Sequence, residues 1–164
     1  IPKEIRRTLR IREGDPLEIY TDREGEVILK KYSMIGDIGQ FAKQYADALS
    51  QTTGYLVIVT DRDMVIAASS GVKKDMVGKH ISRELEKAAL DRKIILTDSS
   101  KKEFCRVADD MEGDYIQAIA PIICNGDVAG SIVFLNKNTE RKFGETEQKM
   151  IAVAASFLGK QMEG

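Results

Sequence analysis

The sequence is poor in the side chains on which most metal and redox sites depend. Its 164 residues include two cysteines, Cys105 and Cys124, and one histidine, His80. The cysteines form no CxxC pair, so we expect both thiols to fill small apolar spaces in a reducing cytoplasm rather than to form a disulfide. A lone histidine cannot complete a HExxH zinc site. We therefore predict no metal ion and no cofactor.

The sequence also lacks long hydrophobic runs and the common catalytic motifs. No apolar run approaches the ~18–20 residues of a membrane-spanning helix, and no signal-peptide layout is present, so we expect no membrane partner. Neither a GxSxG motif nor a paired-carboxylate constellation occurs, and we predict no catalytic residue and no enzymatic activity. With 43% hydrophobic and 31% charged residues and a net charge of −1, the composition is typical of a globular protein of one or two domains.

Three segments look like ligand-binding motifs, but each lacks an essential feature. Gly71 and Gly78 are two positions too far apart for a phosphate-binding loop, and His80 stands where that loop requires Ser or Thr. Asp61 and Asp63 flank a predicted tight turn, where Asp is favoured for its bonds to the backbone. The acidic residues of 109–114 lack the spacing of a calcium-binding EF-hand loop. We interpret all three as structural.

Positive charge is concentrated near the start of the chain, although the near-neutral total hides it. Five cations lie within ten residues and are opposed only by Glu4: Lys3, Arg6, Arg7, Arg10 and Arg12. Pro2 suits the first position of a helix, which we expect to end at residues 14–16. Such a basic element is typical of a surface that meets nucleic-acid phosphates. From charge alone, a solvated helix whose arginines pair with Glu4 and Glu13 is an equally good interpretation.

The basic helix is followed by a predicted β-hairpin. Residues 17–21 and 26–31 have the alternating polarity of strands, and Gly25 in the connection can adopt a positive φ. One short helix and one hairpin bury too little apolar surface to offset their own chain entropy. We therefore expect this unit to pair with a second copy in an intertwined dimer.

The rest of the chain has the pattern of a mixed sheet between helices, with a linker at residues 33–36. We predict helices at 37–50, 81–90 and 145–162, strands at 55–60, 64–68, 115–123 and 127–135, and a loop-rich stretch from the end of the second helix to about residue 114. Asp37 is a candidate N-cap. Asn125-Gly126 is a strong signal for a two-residue hairpin turn. The two outer helices are long enough to form a four-helix bundle between protomers.

Three segments of the first 32 residues match one known unit in residue type, spacing and order: residues 1–9 (IPKEIRRTL), 14–20 (GDPLEIY) and 28–32 (ILKKY). They resemble the swapped-hairpin DNA-binding unit of the AbrB family of bacterial transition-state regulators. The resemblance implies that a dimer lays a basic surface on double-stranded DNA. The family's tandem arginines correspond to Arg6 and Arg7, whereas Lys3, Arg10 and Arg12 follow from charge and proximity. Because family members begin with a further strand rich in Gly and Arg, we expect this unit to be incomplete here.

Residues 37–164 resemble a GAF domain, which implies an α/β fold with a central antiparallel sheet and flanking helices. The expected fold class is therefore α+β, with an AbrB-like swapped-hairpin unit at residues 1–32 and a GAF-like domain after the linker. GAF-like folds commonly hold small molecules beside the sheet, yet they also serve as oligomerisation scaffolds. Both interpretations stay open, and the sequence identifies neither an effector nor its binding residues.

The combination of the two domains, with the closing residues 157–163 (FLGKQME), resembles a family of sporulation regulators of endospore-forming bacteria. The resemblance implies a homodimeric or homotetrameric, cytoplasmic, nucleoid-associated protein that binds specific DNA sites in the forespore and activates some genes while repressing others. One alternative is a ligand-sensing signalling or adaptor protein whose basic helix binds a protein partner. Related hairpin dimers also serve as antitoxins, but the long patterned second domain disfavours that interpretation.

Overall fold

The computed structural model describes residues 1–32 and 38–163, which form an N-terminal unit within Ile1–Met34 and a C-terminal unit within Ile35–Gly164. The predicted linker at 33–36 and the predicted N-cap Asp37 lie outside the described residues.

The N-terminal unit contains a six-residue helix and one hairpin: α1 (Lys3–Thr8), β1 (Leu17–Thr21) and β2 (Val27–Lys31). The strands are antiparallel, with Ile19 opposite Leu29. Gly25 has a φ of 84°, as predicted for the connection. The Asp22 carboxylate holds this connection by accepting the backbone N–H groups of Glu24 and Glu26. The predicted hairpin is therefore confirmed.

Helix α1 differs from its predicted bounds at both ends. Pro2, predicted at the first helical position, is the N-cap with a ψ of 146°. The predicted helix end at residues 14–16 is wrong, because α1 ends at Thr8 and Arg10 adopts a left-handed φ of 54° two residues later. A residue in that conformation stops a helix as glycine usually does.

The C-terminal unit is a five-stranded antiparallel sheet with helices on both faces, which confirms the predicted fold. Its elements are α2 (Gly39–Thr53), β3 (Leu56–Asp61), β4 (Val65–Ala68), α3 (Arg83–Leu90), β5 (Ile95–Asp98), β6 (Ile116–Cys124), β7 (Asp127–Asn136) and α4 (Glu145–Met162), with a 3-10 turn at Lys74–Met76. The strand order is β4-β3-β7-β6-β5. Residues 91–114, predicted as loop-rich, contain β5, an edge strand that pairs with β6.

Both faces of this sheet are buried, which explains why β3 and β7 are almost continuously apolar. Successive side chains of a strand point to opposite faces. Val57 and Val59 join the core beneath α2 and α4, while Ile58 joins a second core with Leu85 of α3. At the β6–β7 turn, Asn125 and Gly126 both have positive φ values, of 52° and 84°, as the predicted hairpin requires.

Candidate nucleic-acid interface

The five predicted DNA-binding residues lie on α1 and the turn that follows it, which we call the basic segment (residues 3–12). Lys3, Arg7 and Arg10 are exposed, whereas Arg6 and Arg12 are half-buried. Within α1, residues three or four positions apart lie on one face, so that Lys3, Arg6 and Arg7 share one side of a short rigid element. The structure thus brings the five cations together within one unit.

The basic segment turns sharply at Arg10. The Arg10 N–H donates to the Arg7 carbonyl at 3.3 Å, and the Ile11 N–H donates to the Arg6 carbonyl at 2.8 Å. These two bonds are the pattern of a Schellman motif, in which glycine usually occupies the left-handed position. Arginine occupies it here, so the chain accepts a backbone cost of roughly 1–2 kcal/mol to place a guanidinium at the end of α1.

Two residues that the sequence analysis did not single out hold the Arg10 turn in place. The Lys31 ammonium, on β2, donates to the Arg10 carbonyl at 2.8 Å and lies 3.8 Å from the Asp15 carboxylate. Asp15 in turn accepts the Arg12 N–H at 2.8 Å. The Lys30-Lys31 pair at the end of the hairpin was the available signal, but charge alone did not distinguish a positioning lysine from a solvated one.

Within residues 1–32 and 38–163, no salt bridge joins Lys3, Arg6, Arg7 or Arg10 to a carboxylate. The interpretation in which the arginines pair with Glu4 and Glu13 therefore finds no support for these four cations. The Nε of Arg6 is buried and has no hydrogen-bond partner among the described residues. A buried unpaired donor is expected to find its partner in an assembly.

The hairpin of the N-terminal unit has apolar side chains on both faces, and these side chains are exposed. Ile19 and Leu29 lie opposite each other on one face, and Tyr20 and Ile28 on the other. Ile19 is 68% exposed, and no described residue before position 33 is buried. A unit without a core cannot be stable alone. We refer to these four side chains as the hairpin faces.

A second exposed apolar surface lies on the outer side of α2 and α4. The rings of Phe41, Tyr45 and Phe157 are in mutual contact, with the centroids of Tyr45 and Phe157 5.2 Å apart. Phe41 is one of the exposed residues, and Val153 is 66% exposed one turn from Phe157. Phe41, Tyr45, Val153 and Phe157 form what we call the aromatic helix face.

A cavity of about 370 Å³ lies at the end of the sheet where α2 leads into β3 and β7 leads into α4. We call it the end pocket, and nine residues line it: Thr53, Gly54, Tyr55, Asn136, Asn138, Arg141, Lys142, Phe143 and Glu147. Burial raises the pKa of Tyr55; the nearby Glu147 carboxylate raises it further, and the Arg141 guanidinium opposes this. The pocket therefore combines aromatic and charged side chains.

The remaining motifs have structural roles. The Asp61 carboxylate accepts the N–H groups of Asp63 and Met64 at 2.7 and 2.8 Å, which is the turn that the sequence predicted. Both cysteines are buried and free, and burial raises the pKa of Cys105 to about 11. Of the described helices, none has the length and apolar character needed to cross a bilayer.

Two known families match this chain. A model described as "Stage V sporulation protein T C-terminal, transcription factor" matches residues 37–163. A second model, "Antidote-toxin recognition MazE, bacterial antitoxin", matches residues 1–37. The protein "Stage V sporulation protein T" of Bacillus subtilis (strain 168) is 49% identical over 164 residues, which cover 99% of this chain and 90% of that protein. The similarity therefore extends across both units.

Solved structures resemble the C-terminal unit. A methyl-accepting chemotaxis protein, residues 122 to 287, has a TM-score of 0.63 at 19% identity and covers 76% of this chain and 88% of its own. The PixJ GAF domain of Thermosynechococcus elongatus has a TM-score of 0.61 at 15% identity and covers 81% and 89%. Identities this low establish only the fold, and they confirm the predicted GAF-like architecture.

Proposed function

The chain belongs to the stage V sporulation protein T family of transcription factors and is a regulator of sporulation transcription; on that premise, we propose that its N-terminal unit binds double-stranded DNA as a pair of copies. The observation that carries the proposal is the basic segment itself. It presents Lys3, Arg6, Arg7 and Arg10 without a carboxylate partner among the described residues. Arg12 completes the proposed contact set.

The chemistry of arginine fits this role. A planar guanidinium can bridge two phosphate oxygens or the O6/N7 edge of guanine, and it keeps its charge at any physiological pH. Phosphate contacts fix the position of the protein without reading sequence, so we attribute much of the site preference to DNA shape. A two-fold pair of basic segments favours roughly symmetric sites.

Replacing Arg6 and Arg7 together by alanine tests this proposal. We expect the affinity for a duplex selected by the wild-type protein from a random pool to fall by roughly 2–4 kcal/mol. We also expect the slope of log K against log salt concentration, which is negative, to become shallower by about one unit for each phosphate contact removed. Fluorescence anisotropy with the labelled duplex at several salt concentrations measures both quantities.

The matched control is Lys101→Ala with Lys102→Ala, which removes the same formal charge from an exposed turn of the C-terminal unit. It should leave the affinity and the salt slope nearly unchanged. If the arginine variant is folded, assembled and still binds with the wild-type affinity and slope, Arg6 and Arg7 are outside the interface. A protein partner for the basic helix, as in the adaptor alternative, would then be the better proposal.

We further propose that the chain assembles through two surfaces. The hairpin faces leave Ile19, Tyr20, Ile28 and Leu29 exposed, and covering them with a second hairpin removes this apolar area from water. The aromatic helix face offers an apolar stripe suited to packing against the same stripe of another copy in a four-helix bundle. One or both contacts give a homodimer or a homotetramer.

The C-terminal domain is proposed to assemble the regulator and to tune it through a small-molecule effector. We propose no catalytic role for it. Its thiols are the strongest potential nucleophiles, yet both are buried, and the pKa of Cys105, about 11, leaves almost no thiolate at neutral pH. The proposed place of action is the cytoplasm of the forespore, where the protein would be associated with the nucleoid and would activate some genes and repress others.

A further inference from the structure

The end pocket has the volume of a small-molecule site and a lining rich in hydrogen-bond donors. At about 370 Å³ it falls within the range of roughly 300–1,000 Å³ typical of ligand pockets. Its walls come from two loops and the ends of the elements that they join, residues 53–55 and 136–147, at the same end of the sheet. These loops join the two helices that carry the aromatic helix face to their strands.

Two asparagines line the pocket. The Asn136 side-chain oxygen accepts the Asn138 N–H at 3.1 Å, and the Asn138 side-chain oxygen accepts the Glu140 N–H at 3.1 Å. Each oxygen already accepts one backbone N–H, and each amide also carries an N–H₂ group that can donate to a ligand. A hydrogen-bond acceptor on the ligand can pair with these two donor groups.

The charged side chains of the pocket favour an anionic acceptor. Arg141 and Lys142 both line the cavity. The one carboxylate there, on Glu147, is already engaged, since its Oε1 accepts the Gly144 N–H at the start of α4 at 2.9 Å. The lining thus carries two cations and one carboxylate, which leaves a positive balance, and an Arg side chain recognises carboxylate or phosphate in a bidentate manner.

One wall of the pocket is aromatic. The rings of Tyr55 and Phe143 pack with centroids 4.7 Å apart, and Tyr55 packs in turn on the buried Phe134 at 6.1 Å. A ring anchored from behind by the core presents a rigid apolar surface. A planar group of a ligand can pack against it in the offset or edge-on geometry that aromatic pairs prefer.

The side chains on the opposite side of the sheet pack closely beneath α3. Met76, Leu85 and Val107 are among them, and a cavity there, bordered by Arg62 and Leu90, measures about 10 Å³. That volume is close to the minimum that one water molecule needs. This cavity is therefore too small for a ligand, whereas the end pocket is not.

We propose that the end pocket binds a small molecule that joins an anionic group, carboxylate or phosphate, to a planar ring. Arg141, Lys142, Asn136 and Asn138 hold the anion, and Tyr55 packs against the ring. This assignment rests on the proposed effector role of the domain and gives that effector a location and a chemical class. It does not depend on DNA binding.

Isothermal titration of the full chain without DNA tests the proposal, with benzoate, adenosine monophosphate and inorganic phosphate as probes. We expect saturable binding of benzoate or adenosine monophosphate, at least about tenfold tighter than that of phosphate. Arg141→Gln with Lys142→Gln should weaken the binding of the ring-bearing probe at least tenfold. Tyr55→Leu should weaken the binding of the ring-bearing probe but not that of phosphate.

The control is Lys149→Gln, which removes an exposed lysine of α4 outside the pocket and should leave all affinities unchanged. Circular dichroism shows whether each variant is folded. Absence of saturable binding by any probe to the folded wild-type protein overturns the proposal, as does binding that Arg141→Gln with Lys142→Gln leaves intact. Since the assay contains no DNA, either result leaves the proposed DNA contact of the basic segment untouched.

Discussion

At the scale of single residues, Arg10 combines two properties that usually exclude each other. Its φ of 54° lies in the left-handed region, where the backbone of residues other than Gly and Asn is strained. Its charge is one of the four that have no carboxylate partner among the described residues. We therefore propose that the charge of Arg10 serves function at a cost in backbone stability.

The substitution Arg10→Gly separates the two properties. Replacing arginine by glycine at this left-handed φ should raise the free energy of unfolding by roughly 0.5–1 kcal/mol, because glycine has no Cβ to clash in that region. Removing the guanidinium should lower the DNA affinity and the salt slope. Chemical denaturation at one fixed protein concentration and DNA anisotropy measure the two effects, which are expected to have opposite signs.

Arg92→Gly is a control with the same chemistry at a site outside the basic segment. Arg92 also has a left-handed φ, of 57°, and its guanidinium donates to the Gly126 carbonyl at 2.7 Å in the C-terminal unit. DNA affinity should be unaffected by this change. A loss of stability in Arg10→Gly, or equal DNA affinity for Arg10→Gly and the wild type, would contradict the role assigned to Arg10.

At the scale of elements, helix α4 depends on one glycine to approach the sheet. A methyl group added to Gly159 would lie 2.2 Å from the carbonyl oxygen of Ile123 on β6, which is far inside van der Waals contact. The same helix places Ile151 and Leu158 in the core. The close approach of Gly159 to β6 therefore fixes the position of the whole helix, including the Phe157 ring of the aromatic helix face.

We predict that Gly159→Ala lowers the free energy of unfolding by about 3 kcal/mol, because the backbone of β6 has to move away from the new methyl group. Thermal unfolding followed by circular dichroism measures the loss. Gly39→Ala in α2 is the matched control, since a methyl group there meets no described atom within 4 Å and alanine favours a helix. Equal stability of the two variants would show that α4 does not pack as closely as described.

The elements also show what sequence patterns can predict. The hairpin β6–β7 and helix α4 were predictable because Asn125-Gly126 and an 18-residue apolar pattern are local signals. Strand β5 was not, since its four residues are too few to display a period and its pairing with β6 is a tertiary contact. The end of α1 was missed because an arginine adopts the conformation that sequence reasoning assigns to glycine.

The same limit applies to the candidate sites. The five cations of the basic segment could be recognised by charge density, and the tandem Arg6-Arg7 by resemblance. The end pocket could not, because Tyr55 and Arg141 are 86 positions apart by residue number and meet only through the β3–β7 pairing. Lys31 was likewise visible only as a charge until the structure placed it against the Arg10 carbonyl.

At the scale of the whole molecule, the two units differ in what holds each of them together. The C-terminal unit buries two apolar clusters, one on each face of its sheet, and is expected to fold by itself. The N-terminal unit has no buried residue among positions 1–32 and is expected to depend on a second copy. DNA binding should therefore depend on protein concentration even where the C-terminal unit is fully folded.

Two substitutions assign the contribution of each surface to assembly. Ile19→Asp places a charge in the proposed hairpin contact, and Val153→Asp places one in the proposed helix contact; burying either unpaired charge is strongly unfavourable. We expect Ile19→Asp to reduce DNA affinity at least about a hundredfold while the C-terminal unit remains folded, because the basic segments are no longer paired. Val153→Asp should leave the hairpin contact and most of the DNA affinity in place.

Sedimentation velocity then distinguishes the two possible assemblies. If the wild-type protein is a tetramer, each single variant should be a dimer. If both surfaces join the same two chains, only the double variant should be a monomer. A double variant that still assembles like the wild type would mean that neither surface is the contact between copies.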